Sequence, residues 1–151
     1  MQAVWGILLQ GYNRKDDVVY GNVMAARPLT LKDNDKIVGL FANTVPVRVK
    51  ADKDTTFEEL VTSLNKDFLN SISYSYCSLG EIQEVSSLNH NLVNHLYLFQ
   101  NFSLDSLYDG AKNIGVDITN MYLNHKTNYD FSIEFTMKDN IDIKVSYNTS
   151  K

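Results

Sequence analysis

Pro46 stands inside the most strand-like stretch of the chain and limits what that stretch can become. Residues 37–49 read Ile-Val-Gly-Leu-Phe-Ala-Asn-Thr-Val-Pro-Val-Arg-Val, rich in the β-branched residues that pack well on a pleated surface. A proline gives no amide proton to a ladder, so a strand here must run along an edge or bend away from its neighbour. The apolar run is broken by one polar pair, Asn43-Thr44, with Gly39 four residues before the asparagine and Arg48 five after it. The pattern predicts a strand over 37–49 that borders something open.

Around it, helical and strand periodicities mix. Residues 3–12 place Val4, Leu8 and Gly11 on one helical line and Trp5, Leu8, Leu9 and Tyr12 on the next, predicting a largely buried helix stopped by Gly11 and Asn13. No Ser, Thr, Asp or Asn caps it, so the chain is expected to begin inside an element, as a cut fragment would. Residues 18–24 predict a strand in which Gly21 marks a bulge or a close backbone approach. Phe57, Leu60, Val61, Leu64, Phe68, Leu69 and Ile72 recur at helical spacing behind two overlapping capping boxes, Thr55 with Glu58 and Thr56 with Glu59. A shorter helix is expected over 79–85, then a Ser- and Asn-rich loop over 86–94.

Leu96-Tyr97-Leu98-Phe99 is apolar on both faces, as a central strand requires. An irregular connection is expected over 103–111, and Ile114, Val116 and Ile118 alternate as another strand. The tail gives the clearest β pattern. Phe131, Ile133, Phe135 and Met137, then Ile141, Ile143, Val145 and Tyr147, alternate with polar residues on either side of Lys138-Asp139-Asn140, a hairpin loop. With no repeat and no linker, residues 1–151 are expected to form a single α/β domain, a sheet with helices packed on it.

Composition narrows the function. The chain is 44% apolar and 21% charged with a formal net charge of −4, and no cluster of Lys or Arg offers a nucleic-acid footprint. No apolar run reaches the length of a membrane span, and no signal-peptide pattern opens the chain. Cys77 is the single cysteine, which excludes an internal disulfide and makes the cytoplasm the expected compartment. His90, His95 and His125 lack the spacing that would put two on one metal. His90 and His125 read as solvated loop residues, His95 as a structural histidine, and Cys77 as a buried apolar thiol. Asp16-Asp17 reads as a solvated turn and Glu58-Glu59 as a helix N-terminus. No GxGxxG, Walker loop, GxSxG or HExxH motif occurs, so the residues themselves display no catalytic group.

An ordered set of segments nonetheless resembles one family. Trp5-Gly6-Ile7-Leu8-Leu9-Gln10-Gly11-Tyr12, Asp16-Asp17-Val18-Val19-Tyr20-Gly21, Arg27-Pro28 and the run from Val38 through Val49 resemble the later part of nonribosomal peptide synthetase condensation domains. Cys77-Ser78-Leu79-Gly80-Glu81-Ile82-Gln83, His95-Leu96-Tyr97-Leu98-Phe99-Gln100-Asn101-Phe102 and Asn128-Tyr129-Asp130-Phe131-Ser132 continue the match in order. The resemblance implies the C-terminal lobe portion of a CoA-dependent acyltransferase-like αβ sandwich of the chloramphenicol acetyltransferase type, a mixed sheet with helices packed on it. It implies no cofactor bound directly. Partner carrier proteins would bring phosphopantetheine-borne aminoacyl thioesters, beside a missing N-terminal lobe and an adjacent adenylation domain. The family's His-His-x-x-x-Asp-Gly motif has no counterpart here, because this chain contains no adjacent histidines.

Carried over residue by residue, the resemblance implies that Asn43, Thr44 and Arg48 lie near the tunnel and Gly39 on the family's glycine. It also places Gly21 and Arg27 on the strand and turn facing the cleft. Each has a plainer reading: backbone geometry for the glycines, a carboxylate partner for Arg48. Two departures stand out. Ala25-Ala26-Arg27 replaces a frequent Ser-Gly-Arg, and Phe99-Gln100-Asn101-Phe102-Ser103 replaces Phe-Glu-Asn-Tyr-Pro. Other readings stay open: a small acyltransferase relying on His95 or His125, or a module that docks a carrier through its acidic surface or a strand edge. Loss of a covering lobe predicts self-association through exposed apolar surface.

Overall fold

The computed structural model describes residues 1–27, 32–100, 111–118, 127–137 and 140–150. In chain order it contains α1 (Gln2–Asn13), β1 (Asp17–Ala25), β2 (Ala42–Lys50), α2 (Phe57–Ile72), α3 (Leu79–Val85), β3 (Leu96–Gln100), β4 (Phe131–Met137) and β5 (Ile141–Tyr147), with short 3₁₀ turns at Asn34–Lys36 and Asn89–Leu92. The expected connection over 103–110, His125, Pro28, Asn101 and the hairpin residues 138–139 lie outside the described residues.

The strands form one mixed sheet in the order β2-β1-β3-β4-β5. β1 runs antiparallel to β2 and parallel to β3, β3 parallel to β4, and β4 antiparallel to β5. β2 is an edge, as Pro46 requires, and Pro46 stands opposite Gly21. α1 and α2 pack over β1 and β2. Tyr20, Val49 and Tyr97 are fully buried there, with Trp5, Leu60, Leu64, Ile133 and Phe135 around them. Tyr20 and Tyr97 meet at 5.5 Å between ring centroids, and Tyr97 meets Phe135 at 5.3 Å.

Local signals place the helices well. Thr56 caps α2 through a reciprocal capping box with Glu59. Thr55 instead closes a turn, its hydroxyl donating to Asp52 Oδ1 at 2.8 Å. Ser78 and Glu81 form a second reciprocal box on α3. Of the two readings of Gly21, close approach holds. The ladder is uninterrupted, and a Cβ there would sit 2.7 Å from Val93 Cγ1 and 2.8 Å from Thr44 Cγ2.

Five expectations change. The strand predicted over 37–49 begins at Ala42: the ladder with β1 ends at the pair Ala25–Ala42, one further bond from Ala26 N–H to Phe41 O at 2.7 Å closes it, and residues 37–40 turn away around Arg27. Val38 and Leu40 are exposed. α1 buries only the stripe of Ala3, Trp5 and Gly6, while Val4, Ile7, Leu8 and Tyr12 face outward. Its stop is the left-handed Arg14, not Gly11 or Asn13. Ile114 and Val116 belong to a helix end rather than a strand. Gly115 takes φ 77°, donating its N–H to Lys112 O at 3.0 Å, and Val116 donates to Ala111 O at 2.9 Å, the pattern by which a left-handed glycine closes a helix. Cys77 is half-buried rather than buried.

Candidate functional site

The six residues singled out in sequence lie on one hairpin, β1–β2, but not around one point. Arg27 follows β1, and its Nη1 donates to the carbonyls of Asn34 and Ile37 while the guanidinium lies 4.1 Å over the Phe41 ring. That arginine organises the connection containing Gly39. Asn43 sits at the start of β2, where its Nδ2 donates to the carbonyls of Ser75 and Cys77, both at 2.7 Å, and its Oδ1 accepts from Thr44 N. It ties the backbone between α2 and α3 to the sheet. The Thr44 methyl packs on Gly21. Arg48 stands opposite Val19, near the other end of the hairpin. With about 3.4 Å per residue, it lies roughly 25 Å from Arg27.

Arg48 makes a bidentate pair with Asp17, Nε to Oδ1 at 2.8 Å and Nη2 to Oδ2 at 2.5 Å. This hydrogen bond holds the Asp17 carboxyl below its ordinary range. A cleft of about 560 Å³ at this end is lined by Arg48, Asp17, Asn94 and His95. His95 itself is buried, with the rings of Trp5, Tyr20 and Phe131 around it. Its Nε2 accepts the Trp5 indole N–H at 3.2 Å, which places its proton on Nδ1, facing Asn94 Oδ1 at 2.7 Å. Burial pushes its pKa down. Its one free lone pair is taken, so this histidine is built as a strut rather than as a base.

At the opposite end a larger cleft opens. The carboxyl ends of the parallel strands β1, β3 and β4 meet there, under the N-terminus of α1 and the inner side of α2, around a volume of about 830 Å³. Open α/β sheets commonly receive ligands at strand carboxyl ends. Its walls are mainly apolar, with Met24, Phe68 and Phe99, and carboxamides come from Gln2, Asn22, Asn65 and Gln100. Tyr97 is the one ionisable side chain among its described lining residues, and burial pushes it up to about 12. Asn22 is 5% exposed, and its carboxamide makes no hydrogen bond to another described residue. Sequence reasoning stopped at Gly21 and missed Asn22. A polar residue two positions from Tyr20, hence on the same inward face, was the available signal. The cleft can hold and orient a polar, uncharged group, and among its described lining residues no side chain is suited to move a proton at neutral pH.

Among the described residues no group of His, Cys, Asp or Glu could hold a metal, and no helix is long and apolar enough to cross a membrane.

The mixed sheet with helices packed on it defines an α/β protein of the chloramphenicol acetyltransferase-like fold, as expected from the sequence. A solved structure of the starter condensation domain of rhizomide synthetase RzmA superimposes with TM-score 0.71 at 16% identity, over 99% of this chain and 37% of that one. The condensation domain of the Monacolin K polyketide synthase MokA gives TM-score 0.70 at 17% identity, over 99% of this chain and 35% of the other. The chain belongs to the condensation-domain family, whose model matches residues 1–151. It is similar to gramicidin S synthase 2 of Brevibacillus brevis, 36% identical over 99% of the chain and 3% of that protein. It is also similar to surfactin synthase subunit 2 of Bacillus subtilis (strain 168), 37% identical over 97% of the chain and 4% of that protein. The chain thus spans a small part of these synthases and about a third of the solved domains.

Proposed function

We propose that this chain is the C-terminal-lobe part of a domain that joins two carrier-bound aminoacyl or peptidyl thioesters in nonribosomal peptide synthesis. The observation that carries the reading is the family match over residues 1–151. In the reaction the amine of one aminoacyl thioester attacks the thioester carbonyl of the other. The C–S bond breaks, an amide forms, and a thiol leaves on its phosphopantetheine arm with the proton lost by the amine. The arms belong to partner carrier proteins, and an adenylation domain of the parent protein loads them in the cytoplasm.

Such chemistry needs both thioesters in attack geometry and a group to manage the proton. The 830 Å³ cleft suits the first task, because apolar walls with neutral carboxamides favour a peptidyl group over a charged one. Asn43, Thr44, Gly21, Gly39, Arg27 and Arg48 shape the hairpin beside it and position rather than react. The proton-handling group comes from a further lobe carrying the paired histidines that this sequence lacks.

Mixing the isolated chain with two loaded carriers, followed by intact-mass spectrometry, is expected to give no condensed product. Fusing it to the histidine-bearing lobe is expected to restore product. Product from the chain alone, or none from the fusion, would overturn the reading.

A further inference from the structure

The two edges of the sheet are finished differently. β2 carries Pro46 at its centre, and Asn43 ties the backbone of residues 75–77 against its start, so that edge is blunted. β5 contains no proline, and all its residues are exposed. Among the described residues, no strand or loop backbone bonds to its outer side. Ile141, Ile143 and Val145 share a face with the buried Ile133 and Phe135, yet they are 47–58% exposed, because the helices sit over β1 and β2.

Charge selects what can pair with this edge. In an antiparallel pairing of β5 with itself, centred on Ile143, Asp142 stands across from the partner's Lys144 and Lys144 across from the partner's Asp142. Ile141 then meets the partner's Val145, and Ile143 meets its own copy. Centring one residue either way sets lysine against lysine or aspartate against aspartate, which is unfavourable directly across a ladder. Lys144 also stands across from Glu134 of β4. In the pair it lies between Glu134 and the partner's Asp142, one cation between two carboxylates.

We propose that β5 is a self-association edge, and that two copies of this chain pair antiparallel about Ile143 into one continuous sheet. A two-fold operation is what makes such an edge self-complementary. The contact is small for a stable interface, so the dimer is weak and reversible and forms only as concentration rises. This inference rests on β5 alone and stands independently of the catalytic reading.

Sedimentation of the full chain over rising concentration is expected to show a monomer–dimer equilibrium. Lys144→Asp sets like charges across the ladder and weakens association at least tenfold. Adding Asp142→Lys in the same chain restores it. Both variants lose the Glu134 contact equally, so the difference between them isolates the contact between copies. In a Cys77→Ser background, Ile143→Cys is expected to oxidise to a covalent dimer, since opposed Cα atoms lie about 4.5–5.5 Å apart, within disulfide reach. Val145→Cys is not, because its copies stand roughly 13 Å apart along the strand. A chain that stays monomeric, a Lys144→Asp variant that associates unchanged, absence of rescue, or equal cross-linking of both cysteine variants would each overturn the proposal.

Discussion

The Trp5 indole donates its N–H to His95 Nε2 at 3.2 Å, joining α1 to the residue ahead of β3 across 90 positions of sequence. The bond requires a neutral His95, and burial disfavours the cation further, so the folded-state pKa lies below the ordinary value. The unfolded chain therefore binds a proton more readily than the folded one as pH falls through about 6.5. This contribution to stability is complete above that pH and is lost progressively below it, until the folded-state pKa is passed. The urea midpoint is expected to drop between pH 7.5 and pH 5.5, and His95→Gln should flatten that drop. A slope identical in the variant would sink the assignment.

Two glycines separate packing from backbone entropy. At Gly6 a Cβ would fall 2.5 Å from Val49 Cγ1, and Val49 is fully buried. Gly6→Ala is expected to cost about 1–3 kcal/mol through overpacking. Gly11 also lies inside α1, but nothing approaches within 4 Å of a Cβ there. Gly11→Ala should stabilise by roughly 0.5–1 kcal/mol. Thermal unfolding of the two variants checks the opposite signs.

The overlapping boxes at the start of α2 give a similarly direct comparison. Thr56 accepts from Glu59 N at 3.2 Å, and Thr56 N donates to Glu59 Oε2 at 2.9 Å. Thr56→Ala is expected to cost about 1 kcal/mol. Glu58→Ala should leave the cap intact. Equal losses in denaturant titrations would show that the box is shared after all.

What could be read in sequence was what local chemistry decides. β4 and β5 announce themselves by alternation, α2 by its period and cap, and β2 as an edge strand by Pro46. What could not be read depends on contacts between distant residues. The predicted strand lost 37–41 because Arg27 gathers that segment as a loop and because β1 ends at Ala25. The exposed side of α1 follows from where the sheet lies beneath it, which no helical wheel contains. Asn22 was overlooked because its strand-mate Gly21 offered a ready explanation. Asn43 and Thr44 stood out as the polar break in an apolar run, but what Asn43 holds could not be read there, because its partners at Ser75 and Cys77 lie across the fold.

Asn43 offers the sharpest separation of a positioning role from that of a merely solvated polar side chain. Its Nδ2 donates to the Ser75 and Cys77 carbonyls, both at 2.7 Å, and Ser75 is 8% exposed. Asn43→Asp keeps the shape but turns a double donor into a carboxylate facing two carbonyl oxygens. It is expected to cost about 2–3 kcal/mol, more than Asn43→Ala, since both acceptors lose their donor and a charge is set against them. The introduced carboxylate is disfavoured in the folded state, so its folded pKa is raised above its unfolded value. Lowering the pH toward that raised value should recover part of the loss, because the protonated carboxyl of the variant can donate to one carbonyl. Urea midpoints of both variants at pH 7.5 and 5 check the order and the recovery. An aspartate variant as stable as the parent at pH 7.5 would mean that Asn43 does not hold the α2–α3 connection to the sheet.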